Sequence, residues 1–137
     1  MQGRTESRRG VVKLAGKLVA GATVIGAAGT ASASGGEITP VGIATSGDSP
    51  EIVTRIDSLD GDFVVEYQAE YQPTSGGTTY ITPEETYNSR QDDPPSEDDF
   101  VSATAAAVEP GNDYYVTARI TDNWNNTVYS NTVVLEA

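Results

Sequence analysis

An all-β fold is what this 137-residue sequence predicts: a seven-stranded antiparallel β-sandwich over residues 34–137, preceded by a signal peptide. Two observations carry the expectation. After Pro110 and Gly111, apolar groups fall on every second position, Tyr114, Val116, Ala118 and Ile120, which is the period of a strand. Tyr115, Thr117 and Arg119 take the opposite face. Phe63, Val65, Tyr67, Ala69 and Tyr71 repeat the pattern against Val64, Glu66, Gln68, Glu70 and Gln72, so that one side belongs to a core and the other to water. Runs of this kind separated by turn residues, with no helical segment between them, fold as two sheets packed face to face.

Residues 1–33 read as an export signal. Ser7-Arg8-Arg9-Gly10-Val11-Val12-Lys13 resembles a twin-arginine signal, in which Arg8 and Arg9 would be the arginine pair. A general secretory signal with a chance arginine pair is the alternative, and either gives export. The run from Leu18 to Gly29 is rich in Ala, Gly and Val, too short and too weakly apolar for a membrane helix, which needs about 20 strongly apolar residues. Ala31-Ser32-Ala33 supplies the small-x-small cleavage pattern and places the mature start at Ser34.

The strands then follow in order. Thr39 to Thr45 opens, with Val41 and Ile43 on one face, and ends at Ser46-Gly47-Asp48-Ser49-Pro50. Glu51 to Ser58 points Ile52, Thr54 and Ile56 inward and stops at Asp60-Gly61, a strong turn pair. The strand from Phe63 to Gln72 is ended by Pro73-Thr74-Ser75-Gly76-Gly77, and Thr78 to Thr82 forms a short edge rich in β-branched and aromatic residues. Pro83 to Asp99 holds Pro94-Pro95 and a dense acidic run, so it reads mostly as loop. Phe100 to Ala107 turns Val101, Ala103 and Ala105 inward. After the strand from Tyr114, Asp122 to Asn126 makes a polar loop around Trp124, and Thr127 to Glu136 closes the fold.

Val108-Glu109-Pro110-Gly111 followed by Tyr114-x-Val116, then Ser130 and Val133-Val134-Leu135, resembles the last third of a fibronectin type III or related immunoglobulin-like domain. The first half matches only in strand count, and microbial immunoglobulin-like repeats share the same ending, so the subfamily stays open. The resemblance implies that Tyr114 is a corner tyrosine bonding back to upstream backbone. It also makes the third and sixth strands neighbours, which would bring Arg119 to Glu66 or Glu70.

Charge divides sharply along the chain. Of eight basic and 20 acidic residues, residues 34–137 keep only Arg55, Arg90 and Arg119 against nineteen acids, a formal −16 with no lysine. Such a surface excludes nucleic acid and anionic membrane as electrostatic partners. It is similar to the proteins of halophilic archaea, where carboxylates hold water and cations in molar salt and the Debye length falls to about 3 Å. The expectation is salt-dependent folding; an acidic but ordinary surface is the alternative.

The chain has no histidine and no cysteine, which removes the usual general base, the thiol nucleophile, disulfides and the common transition-metal ligands. Paired carboxylates could hydrolyse glycosides, but a sandwich of this length has little material for a cleft, and no enzymatic activity is expected. Asp92, Asp93, Asp98 and Asp99 offer the oxygen ligands that Ca²⁺ prefers, without the alternating spacing of an EF-hand loop; a solvated acidic loop is the competing reading. Asp122 and Asn123 could add ligands from a second loop.

Trp124, the sole tryptophan, sits between Asn123 and Asn125. There it either stacks on a sugar or protein partner or folds back over the end of the core. Asn125-Asn126-Thr127 is an N-glycosylation acceptor, and a glycan on Asn125 would crowd Trp124. The expectation is therefore a secreted, cell-surface binding or adhesion module without catalysis, monomeric or weakly self-associating. Its partner would be an envelope protein or glycan. A small structural component of the envelope, assembling through strand edges, is the second reading.

Overall fold

The computed structural model describes residues 23–24, 36–88, 90 and 93–137. All of the regular structure there is β, in two antiparallel sheets. The strands are β1 (Thr23–Val24), β2 (Gly36–Ala44), β3 (Glu51–Leu59), β4 (Val64–Pro73), β5 (Tyr80–Ile81), β6 (Glu85–Thr86), β7 (Phe100–Thr104), β8 (Asp113–Asp122), β9 (Thr127–Tyr129) and β10 (Val133–Glu136). One sheet orders β2-β3-β7. The other runs β1-β10-β8-β4-β5, with β6 also on β4 and β9 also on β8. This arrangement is consistent with an immunoglobulin-like sandwich. Among the described residues no helix is long and apolar enough to cross a membrane.

The core lies between the sheets. Ile43, Ile52, Ile56 and Val101 of the smaller sheet meet Val64, Tyr67, Tyr114, Val116, Ala118, Ile120 and Leu135 of the larger in one buried cluster. Tyr67 carries a polar tie through it: its hydroxyl donates to the Ile52 carbonyl (3.0 Å) and meets the Thr54 hydroxyl at 2.8 Å, linking the two sheets. Burial of that phenol, slightly offset by the Thr54 bond, pushes its pKa far above the ordinary tyrosine value.

The alternation of β8 holds from Tyr114 to Ile120, and Ile52, Thr54 and Ile56, like Val101, Ala103 and Ala105, are buried as their spacing predicts. Two strands depart from the simple reading for one physical reason. In β4 the register with β8 shifts between Val64 and Glu66; the extra residue reverses the pleat, so Val64 is fully buried while Phe63 and Val65 are only partly covered. In β2 shifts at Glu37/Ile38 and Pro40/Gly42 do the same, burying Ile38 rather than Val41.

Among the described residues there are ten strands where seven were expected. The closing strand breaks at Ser130, whose hydroxyl accepts the Ala118 N–H (2.8 Å) in place of a ladder carbonyl and donates to Asn131 O. The short β6 forms inside the expected loop by pairing Glu85 with Tyr67. The remaining addition, β1, pairs Thr23–Val24 with Val133–Val134 and falls within the expected signal segment.

Candidate functional site

The turn from Asp122 to Asn126 joins β8 to β9 at one end of the larger sheet, and its own side chains build it. Asp122 Oδ1 accepts the N–H groups of Trp124 and Asn126, each at 2.9 Å, and Oδ2 accepts the Asn126 side-chain amide at 3.2 Å. An aspartate that gathers the following N–H groups this way closes a turn without help from the strands. The backbone adds Asn125 N–H to Asp122 O (2.9 Å), with Asn125 at a φ of 68°, a left-handed position that asparagine tolerates.

A second set of bonds locks this turn to the Asp60–Phe63 turn. Gly61 N–H donates to Asp122 Oδ2 (2.9 Å), while Asn123 Oδ1 accepts the N–H groups of Asp62 (2.7 Å) and Phe63 (3.2 Å). Asn123 N–H in turn donates to Phe63 O (2.9 Å). The two turns touch so closely that a Cβ on Gly61 would lie 2.7 Å from Asn123 Oδ1 and 2.9 Å from Asp122 Oδ2. Burial raises the Asp122 pKa, but the donors from Asn126, Gly61 and Trp124 outweigh it and hold the carboxyl below its usual range.

On this scaffold Trp124 points outward, 61% exposed. Its ring does not cap the core. Of the two neighbours expected beside it as ligand contacts, Asn123 is committed to the other turn, whereas Asn125 is exposed with its side-chain amide free of any partner among the described residues. The glycosylation acceptor sequence thus presents its asparagine on the surface, beside the indole. Asp122 was legible as a polar loop residue; its part in building the site depends on Gly61, far away in sequence.

In the acidic loop two carboxylates are taken up by backbone N–H groups. Asp92 lies outside the described residues. Asp99 uses its carboxylate to accept the Ser96 N–H (2.9 Å), and Glu97 accepts the Leu59 N–H (3.0 Å). Among the described residues no three acidic groups come together in a way that could hold a metal ion. Asp93 and Asp98 are exposed, both at positive φ. Arg8 and Arg9 also lie outside the described residues.

At the opposite end of β8, Tyr114 Oη accepts the Glu109 N–H at 2.7 Å, the upstream bond that a corner tyrosine makes. On the outer face Arg119 Nη2 donates to Gln68 Oε1 (2.7 Å) and Glu84 Oε2 (3.2 Å), and Nη1 stands 3.8 Å from Glu66 Oε1. Glu66 is thus the expected partner that Arg119 meets; Glu84, from the predicted loop, was not foreseen.

No protein-family model matches the chain, and no curated protein matches it.

Proposed function

We propose that the protein is an exported binding module of the cell surface, an immunoglobulin-like domain of fibronectin type III kind that presents Trp124 to an envelope protein or glycan. The observation that carries the reading is the exposure of Trp124 on a turn cross-braced by Asp122 and Asn123. A large apolar ring costs free energy in water, and a rigid mount lowers the entropy lost when a partner covers it. Anchors of this kind dominate binding surfaces. The fibronectin-like assignment is supported by the pairing order of the strands and by the bond from Glu109 N–H to Tyr114. Export by the twin-arginine route follows from Arg8 and Arg9, and a high-salt habitat from the −16 charge of residues 34–137.

Assembly through strand edges is disfavoured at three of the outer strands. β2, the long outer strand of the smaller sheet, carries Pro40 and two register shifts, and β5 and β6 are only two residues each. The test is co-sedimentation of the purified protein with washed cell envelopes in molar KCl. The wild type is expected to sediment and Trp124→Ala to lose about tenfold or more in affinity. Equal sedimentation of the two would remove the reading.

A further inference from the structure

We propose that the outer face of the larger sheet binds a short neutral oligosaccharide, along a trough floored by Glu70 and Thr117 and ended by Tyr115 and Tyr129. None of these residues belongs to the Trp124 turn, so this site and the one proposed above stand or fall separately.

The register creates the trough. Tyr115, Thr117 and Arg119 share the outward side of β8, and β4 sets Gln72, Glu70 and Gln68 directly opposite them. β9 sets Tyr129 opposite Arg119. Side chains paired across a ladder rise from the same face. Two shallow hollows result, one of ≈ 150 Å³ reaching Tyr129 and one of ≈ 250 Å³ reaching Tyr115; both are lined by Glu70 and Thr117, so the two adjoin at that pair. Four residues of strand separate the levels of the two tyrosines, about 14 Å at about 3.4 Å per residue, a span suited to a short chain of sugar rings.

The chemistry of the lining selects the occupant. Tyr115 and Tyr129 are 37% and 50% exposed, and such rings offer flat apolar faces to the C–H faces of a pyranose with a hydroxyl at the rim. Among the described residues no donor reaches the Glu70 carboxylate. The Thr117 and Thr132 hydroxyls pair with each other at 2.7 Å and keep lone pairs to offer, and Gln72 gives its amide N–H to Gly77 O, leaving its carbonyl oxygen open. The floor is therefore rich in acceptors, the complement of sugar hydroxyls.

Charge excludes an anionic glycan. Arg119, the cation at this face, is already shared by Gln68, Glu84 and Glu66, and the surrounding domain is −16. A basic peptide would be drawn by the same charge. In molar salt, however, that attraction is screened within about 3 Å, while stacking and hydrogen bonding persist.

The experiment uses the full ¹⁵N-labelled chain in molar KCl, titrated in turn with cellotetraose, mannotetraose, chitotetraose and octalysine and followed by amide shifts. At least one tetrasaccharide is expected to shift the amides of Glu70, Tyr115, Thr117 and Tyr129. Tyr115→Ala and Tyr129→Ala should each weaken that binding by about tenfold. Both tyrosines are on the surface, so the free spectra of their variants should overlay on the wild type away from the substitution. The wild-type shift map decides the matter even if they do not. Three results overturn the proposal: no shift with any tetrasaccharide, shifts confined to the Trp124 turn, or perturbation of this face by octalysine alone.

Discussion

Asp122 accepts the N–H of Gly61 across 61 residues of sequence, at 2.9 Å, and so fastens together the two turns at one end of the larger sheet. The same carboxylate holds Trp124 N–H and both nitrogens of Asn126. One ionised side chain therefore sets the pose of the exposed indole. Asp122→Asn keeps the shape but loses the charge and turns one acceptor into a donor facing N–H groups. It should cost about 2 kcal/mol of folding stability, the scale of a hydrogen bond to a charged group, measured by urea unfolding at neutral pH.

The pH dependence has a definite sign. Because the folded state holds Asp122 below its ordinary value of 3.8, its stabilising contribution is present above that value and is lost as the pH falls through the folded-state pKa. The stability gap between wild type and Asp122→Asn should therefore narrow in acid. Unfolding curves at neutral pH and at about pH 3 check this; a gap that widens in acid would show that the carboxylate is not the stabilising species.

Tyr67 and Thr54 meet hydroxyl to hydroxyl in the middle of the core, at 2.8 Å. Tyr67→Phe strands the Thr54 hydroxyl and the Ile52 carbonyl without this partner and should cost about 1–3 kcal/mol, because an unpaired buried polar group bears its full desolvation penalty. Adding Thr54→Val removes one stranded group. The double variant is expected to be less destabilised than the sum of the two single ones, as unfolding of all four proteins would reveal.

Tyr114→Phe removes the acceptor of the Glu109 N–H and leaves the ring in place. A loss of about 1 kcal/mol is expected, with faster hydrogen exchange at the Glu109 amide than at the amides of β8. Unchanged exchange at Glu109 would mean that the corner is held by packing alone.

Residues 34–137 carry −16, and self-repulsion of that size opposes a compact state unless it is screened. Thermal melts by circular dichroism should give a higher Tm in molar KCl than in dilute buffer. Arg119→Gln, which deprives Glu66 and Glu84 of the cation they share, should cost under about 1 kcal/mol at low salt and less in molar KCl.

The strands were legible where period alone decides them. Tyr114 to Ile120 alternate without interruption and are buried at every second position, because β8 keeps one phase along its inner face. Phase was lost where a strand bulges. Nothing local in Phe63-Val64-Val65 says which two will share one partner, so Val64 rather than its neighbours filling the core is a property of the pairing with β8. The same holds for Ile38 and Val41 beside Pro40.

The candidate sites divide in the same way. Trp124 between two asparagines was visible as a loop residue, and its exposure agrees with one of the two readings open to it. The rigidity of its mount was not visible, since it rests on Gly61, Asp62 and Phe63 from another turn. The wet face of β8 was legible residue by residue, but the trough needs Glu70 and Tyr129 brought to either side of that strand, which only register supplies.

The most direct test of the central claim reads Trp124 itself. Since the chain has a single tryptophan, labelling with 5-fluorotryptophan gives one ¹⁹F resonance that reports only on this turn. Adding soluble envelope extract in molar KCl should shift and broaden that line as a partner covers the indole. A line that stays at its free position and width, while the extract saturably retains the protein on a surface, would contradict the assignment of Trp124 as the binding anchor.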